Sequence, residues 1–147
     1  MRVVIQRVKS AKVEVGHCTI GEIDQGLLIF LGVAKGDTTK EADFLLRKVT
    51  ELRIFEDEQG KMNLSAFETQ AEVLVVSQFT FYGDCRKGRR PSFDRAAPPT
   101  EATQLYQYFV DQLEQTGHKV QTGEFQAMMD VSLVNDGPVT LIIDTDK

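Results

Sequence analysis

Tryptophan is absent from these 147 residues, and cysteine, histidine and proline are sparse, at two, two and four copies. Cys18 and Cys85 stand far apart in no ligand spacing, which excludes a disulfide-stapled scaffold and leaves two reduced thiols as the expectation. His17 and His118 fall in no His-x-x-x-His or Cys-x-x-Cys pattern, so neither a metal nor any other cofactor is expected. Positive charge is also short: 17 Lys and Arg against 22 Asp and Glu leave a net charge of −5. That argues against general affinity for nucleic acid, which requires Lys and Arg to displace counterions, and makes any nucleic-acid contact a local one. Without Trp or an aromatic–basic alternation, a base-stacking platform is not expected. The longest apolar run, Leu27 to Ala34, is interrupted at Gly32 and is too short to span a bilayer. The apolar segment before Arg7 is too short for a signal peptide, so the expectation is a cytoplasmic protein with no membrane partner.

What is present reads as one domain over residues 1–147, long enough to bury about two-thirds of its unfolded surface. Val3 and Ile5, then Ala11, Val13 and Val15, alternate with polar residues and predict two strands, with a third short piece around Cys18–Ile20. Leu27–Val33 is apolar on both faces and predicts a covered central strand. Asp37 or Thr38 can cap a helix that carries Ala42, Leu45, Leu46, Val49 and Leu52 on one face. Ile54-Phe55 predicts a short strand, Asp57–Gly60 a turn, and Val73–Val76 a buried strand. Pro98–Glu101 opens a second helix with Ala102, Leu105, Phe109 and Leu113 on one face and Gly117 as its stop. Val131 and Leu133, then Val139, Leu141 and Ile143, predict two strands joined by a bend at Asp136–Pro138. The fold class is therefore α+β: a mostly antiparallel or mixed, barrel-like sheet with two main helices and no repeating βα unit.

Familiar site patterns fail. Gly83-x-x-x-x-Gly88 is followed by Arg89-Arg90 where a phosphate-binding loop needs Lys and then Ser or Thr, and Ser77 lies in no Gly-x-Ser-x-Gly elbow. Two polar strand ends stand out instead and suggest one site. Ser77-Gln78-Phe79-Thr80 brings three polar side chains and main-chain N–H groups to the end of an apolar strand, where they could hold an oxyanion or simply complete a turn. Asn135-Asp136-Gly137-Pro138 breaks a second apolar run. A cis bond there would turn successive carbonyls the same way, and Gly leaves no Cβ to block a ligand; an ordinary β-turn is the alternative. Between them, the irregular stretch Gly83–Pro99 holds Arg86, Lys87, Arg89, Arg90 and Arg95, either a solvated loop or a local anion contact.

Taken together the chain resembles the D-aminoacyl-tRNA deacylases along essentially its whole length. The resemblance rests on Met1–Val8, Lys61–Leu64, Val75–Thr80, Arg90–Phe93, Thr122-Gly123-x-Phe125 and Val131–Thr140, in that order. It implies a metal-free homodimer with active sites at the subunit interface. It implies cleavage of the ester joining a D-amino acid, or glycine wrongly placed on alanine tRNA, to the 3′ ribose. It further implies that Gly137-Pro138 is a Gly–cis-Pro element inserted into the partner's site, with Arg7 fixing its orientation. Ser77, Gln78, Phe79 and Thr80 would line the pocket around the ester, with Phe125 and Met129 in its wall. Arg86, Lys87, Arg89 and Arg90 would meet tRNA phosphates. Thr80 has been proposed as a nucleophile in this family, the alternative being the tRNA's own ribose hydroxyl. No His, Lys or carboxylate flanks Thr80 to activate it, which favours the hydroxyl of the RNA. Phe81-Tyr82 departs from the smaller residues expected there and affects only the pocket rim. Two other readings stand beside this one: an esterase or amidase for small D-amino acid derivatives, and a non-catalytic tRNA-binding module.

Overall fold

The computed structural model describes residues 1–146. The two strands expected at the start are one 14-residue strand, β1 (Arg2–Val15). Val3, Ile5 and Arg7 share its core-facing phase, while Val8, Ala11 and Val13 are buried against the second hydrophobic cluster. The pairing shifts around Val8, so the strand bends where the sequence pattern suggested a break. β2 (Cys18–Ile23) pairs antiparallel with the second half of β1, and β3 (Gly26–Gly32) with the first half.

After β3 come α1 (Thr39–Glu51), then β4 (Arg53–Glu56), β5 (Met62–Ser65) and the single turn α2 (Ala66–Thr69). β4 and β5 form a small separate hairpin sheet. Neither β5 nor α2 was expected from the sequence. The main sheet resumes with β6 (Glu72–Ser77), parallel to β3, and β7 (Val120–Thr122), parallel to β6. Between them lies α3 (Pro99–Gln115). The last strand, β8 (Asp130–Asp144), runs antiparallel along the other side of β1. The sheet is thus mixed, in the order β2-β1-β3-β6-β7 with β8 on β1. It curls until β2 meets β7: a Cβ on Gly21 would lie 2.6 Å from the Thr122 carbonyl oxygen, so only glycine permits that approach. The expected α+β class with a barrel-like sheet is what is found.

Two hydrophobic clusters hold this arrangement. The larger packs Val3, Ile5, Leu27, Ile29, Val73 and Val75 of the sheet against Ala42, Leu45 and Val49 of α1 and Tyr106, Phe109 and Leu113 of α3. The smaller, on the opposite face, joins Val8, Val13, Ile23, Leu28, Leu74 and Val76. The sheet is therefore covered on both faces, which is why β3 and β6 read as continuous apolar runs. α1 starts on a capping box in which the Thr38 hydroxyl and the Glu41 carboxylate satisfy each other's main-chain N–H groups. No helix among the described residues is long and apolar enough to cross a membrane.

Candidate active site

The bend expected at Asp136–Pro138 is a large bulge in a single strand. Gln6 pairs with Thr140 and Val8 with Asn135, so the two-residue step on β1 faces a five-residue step on β8. The surplus, Asp136 to Val139, is pushed out of the ladder, and its Gly137–Pro138 peptide is cis. Gly137 and Pro138 are exposed. Gly137 has φ +130°, a conformation L side chains rarely adopt, and a Cβ there would come within 2.8 Å of the Val139 nitrogen.

Arg7 sits opposite this bulge and is only 5% exposed. Its Nη1 donates to the Ile54 carbonyl at 2.6 Å and its Nε to the Asp136 carbonyl at 3.1 Å. The Asp136 carboxylate at 3.5 Å and that of Glu56 at 3.9 Å balance its charge. A buried guanidinium with two main-chain acceptors and two nearby carboxylates is compensated as burial of a charge requires. The sequence carried a signal for it: Arg7 occupies the phase of Val3 and Ile5, where an unpartnered charge would not be tolerated. A cleft of about 250 Å³ opens beside Arg7 and Asp136, lined also by Gln25, Glu56 and Gln70.

The second strand end leaves β6 at Ser77 and tightens into a 3-10 turn over Phe79–Tyr82. The Gln78 N–H donates to the Leu31 carbonyl at 2.8 Å, which fixes the exit of the chain. Among the described residues the N–H groups of Phe79 and Thr80 have no acceptor, as the first donors of a helical turn lack intrahelical partners. The Thr80 hydroxyl accepts from the Gln78 side-chain amide. Below the turn, the Tyr82 ring is buried with the guanidinium carbons of Arg2 at 5.4 Å and Arg95 at 5.8 Å from its centre. Arg2 also donates to the Phe81 carbonyl at 2.9 Å and pairs with Asp144, tying the turn to β1 and β8.

These two strand ends do not meet within one chain. Ser77 pairs with Leu31, Leu31 with Val3, and Val3 with Ile143. Arg7, which faces Gly137, lies four residues farther along β1, about 13 Å along the strand direction. Topology thus puts the two polar strand ends at opposite ends of the sheet, and the single-chain site their pairing suggested is not formed.

The remaining candidates divide likewise. β7 runs parallel to β6, so Phe125, just beyond Thr122, advances toward the Ser77 end; its ring lies 5.9 Å from that of Tyr106. The buried Tyr106 hydroxyl donates to the Val75 carbonyl at 2.8 Å, and burial pushes its phenol far up, so it is a neutral donor. Met129 packs on the smaller cluster, its sulfur close against Gly123. Arg86 is held by Asp84 through contacts of 2.9 and 2.6 Å; these hydrogen bonds keep the Asp84 carboxyl well below its usual range. Lys87, Arg89 and Arg90 are exposed and have no acidic partner among the described residues. His118 precedes β7 at the Val73 end of the sheet, and His17 lies in the exposed β1–β2 turn, so neither approaches Ser77 or Thr80 through the strand register. Among the described residues no three His, Cys, Asp or Glu side chains group as metal ligands.

Comparison with known proteins joins these features. The family described as D-Tyr-tRNA(Tyr) deacylase matches residues 4–144. The chain is 60% identical over 147 residues to a protein of Geotalea uraniireducens (strain Rf4) named D-aminoacyl-tRNA deacylase, covering all of this chain and 95% of that one. A protein of the same name from Thermotoga petrophila is 58% identical, covering all of this chain and 99% of its own. Among solved structures, the c-Myc DNA Unwinding Element Binding Protein superposes with a TM-score of 0.94 at 40% identity and full coverage of both chains. A probable eukaryotic D-amino acid tRNA deacylase shares the fold, with a TM-score of 0.82 at 16% identity over 97% of each chain. A polar strand end with free main-chain donors, an extruded Gly-Pro held by a buried arginine and these full-length matches converge: the chain belongs to the D-Tyr-tRNA(Tyr) deacylase family and is a hydrolase of the D-aminoacyl-tRNA deacylase class.

Proposed function

We propose that this enzyme removes D-amino acids from tRNA in the cytoplasm, clears glycine from alanine tRNA, and works as a homodimer whose active sites lie between the subunits. The observation that carries the chemistry is the strand end at Ser77–Thr80: two main-chain N–H groups with no acceptor among the described residues, beside a hydroxyl whose neighbour is an amide, not a base. Among the described residues the Thr80 hydroxyl meets an amide and no base, which makes it a poor nucleophile. Water adds to the ester carbonyl, assisted by the ribose hydroxyl adjacent to the ester. The N–H groups of Phe79 and Thr80 receive the oxyanion, a contribution worth about a hundred- to a thousandfold per donor. The carbonyl carbon then breaks its bond to the ribose oxygen, which leaves with a proton. Ser77 and Gln78 line this pocket, Phe125 and Met129 wall it, and Lys87, Arg89 and Arg90 meet backbone phosphates.

Selection by handedness comes from Gly137-Pro138 of the second copy, whose main-chain carbonyls face the α-amino side of the substrate and leave no room for an L side chain. Side-chain pockets separate a methylene by only about 1–3 kcal/mol, so they suit recognition of residue identity and not of handedness. A main-chain acceptor near the α-carbon rejects one enantiomer whatever its side chain, and it admits glycine. The separation of Gly137 from Ser77 along one sheet supports completion of the site by a second chain. So does Ile142, an apolar side chain of β8 that is 70% exposed.

Single-turnover hydrolysis of matched D- and L-tyrosyl-tRNA in EDTA, with glycyl-tRNA(Ala) alongside, tests this reading. Release of D-tyrosine and glycine alone is expected. Equal release of both enantiomers, or of neither, would remove the chiral claim. Equally fast turnover of a small D-tyrosine ester would favour an enzyme without an RNA partner.

A further inference from the structure

We propose that Phe79 and Phe93 form a stacking surface for the unpaired 3′-terminal base of the tRNA, an inference that rests on the deacylase reading above. Sequence alone argued against such a platform, because no aromatic–basic alternation is present. The fold supplies one from residues fourteen positions apart. The two rings meet edge to face with centroids 5.1 Å apart, a favoured aromatic geometry. Yet Phe79 stays 57% exposed and Phe93 37% exposed. Two adjoining rings this open in the single chain offer an apolar surface at the rim of the site, beyond what the Gly137-Pro138 element of a second chain needs for its main-chain contacts with the substrate.

Their neighbourhood identifies the occupant. Asp84 and Ser92 exchange main-chain hydrogen bonds of 2.7 and 3.0 Å, closing a loop over residues 85–91 whose base is next to Phe93. From Asp84 to Arg95 the chain carries five basic and two acidic side chains. Asp84 is occupied by Arg86, and Asp94 accepts from the Ser92 hydroxyl at 2.8 Å. Lys87, Arg89 and Arg90 are left to meet an anion. Exposed aromatic faces beside unneutralised basic residues are the combination that binds single-stranded nucleic acid, bases on the rings and phosphates on the cations. Phe79 also supplies one of the N–H groups assigned to the ester, so a base stacked here belongs to the nucleotide that carries the amino acid. Gly83 fits the same picture: a Cβ there would come within 3.0 Å of the Phe93 ring, so a larger residue would push that ring from its place.

Because the chain has no tryptophan, Phe93→Trp introduces a single tryptophan, which can be excited selectively beyond the tyrosine absorption band and can itself stack. Uncharged tRNA should quench it, and tRNA trimmed of its 3′-terminal nucleotide should quench it much less. Equal quenching by both, or none while tRNA binds, would overturn the proposal. In turnover of D-tyrosyl-tRNA, Phe93→Leu should raise KM about five- to a hundredfold, the range carried by one stacked base, with a smaller effect on kcat and an unchanged salt dependence. Phe93→Tyr should restore KM. An unaltered KM in Phe93→Leu would also overturn it. If the wild-type enzyme leaves D-tyrosyl-tRNA intact, the deacylase reading fails, while the quenching comparison, which needs no turnover, still decides whether the base stacks.

Discussion

The Nε of Arg7 engages Asp136 twice, donating to its carbonyl at 3.1 Å with its carboxylate 3.5 Å away. Its second anchor, the Ile54 carbonyl at 2.6 Å, belongs to β4. The extruded Gly137–Pro138 step is thereby referred to a separate part of the fold and not left to the flexibility of its own loop. The proposed task of rejecting one enantiomer would need placement of this kind.

Gly137→Ala should disable this element. The new Cβ would lie 2.8 Å from the Val139 nitrogen and 3.4 Å from Arg7 Nη2, at a φ of +130°. We expect a stability loss of about 1–3 kcal/mol from the strained backbone. A fall in kcat/KM for D-tyrosyl-tRNA far larger than the unfolded fraction explains should accompany it. Thermal melts beside single-turnover kinetics separate the two effects.

Thr80→Ala should retain activity within about tenfold, because the account assigns work to the Thr80 N–H, which alanine keeps, and not to its hydroxyl. Burst kinetics should show no covalent intermediate in either protein. Complete loss of activity with an intact fold would return the nucleophile role to Thr80.

Two capping boxes give a pH signature. The hydroxyl and main-chain N–H of Thr38 hold the Glu41 carboxyl below its ordinary range, and the main-chain N–H and hydroxyl of Ser65 do the same for Glu68. A carboxyl depressed in the folded state contributes stability that is complete above its unfolded pKa and is lost as pH falls through its folded value. The melting temperature of Glu41→Gln and of Glu68→Gln should therefore lie below wild type at neutral pH. The gap should close once the solution is acid enough to protonate both glutamates.

Much of the fold is legible in the sequence. Ala42, Leu45 and Val49 marked α1, and Thr38 with Glu41 marked its start. Leu27–Leu31 marked a covered strand because helices and the second cluster pack on opposite faces of the sheet. β5 and α2 are not legible in this way because Met62-Asn63-Leu64 alternates over only three residues and α2 is a single turn, both too short for a periodic pattern to stand out. The Ser65–Glu68 capping box was the signal that could have revealed α2. The sequence predicts only a bend at the β8 bulge, because the residues skipped on one strand are defined by its partner's register. For the same reason the distance between Gly137 and Ser77, and the contact between Phe79 and Phe93, were invisible: both depend on which strands lie side by side. Residue types at the site could be named from the sequence, but their division between two ends of the sheet could not.

The central claim, that one chain's Ser77–Thr80 works with another chain's Gly137-Pro138, is tested most directly by mixing two inactive variants. Gly137→Ala impairs one half. Phe79→Pro removes a key N–H from the other at the first position of a helical turn, where proline is well tolerated. Each variant alone should be nearly inactive on D-tyrosyl-tRNA. After co-refolding, half the dimers are mixed and each carries one site built from two intact halves, so activity should recover to about a quarter of wild type. A mixture no more active than its parts, with mixed dimers present, would contradict the account and return both halves to a single chain.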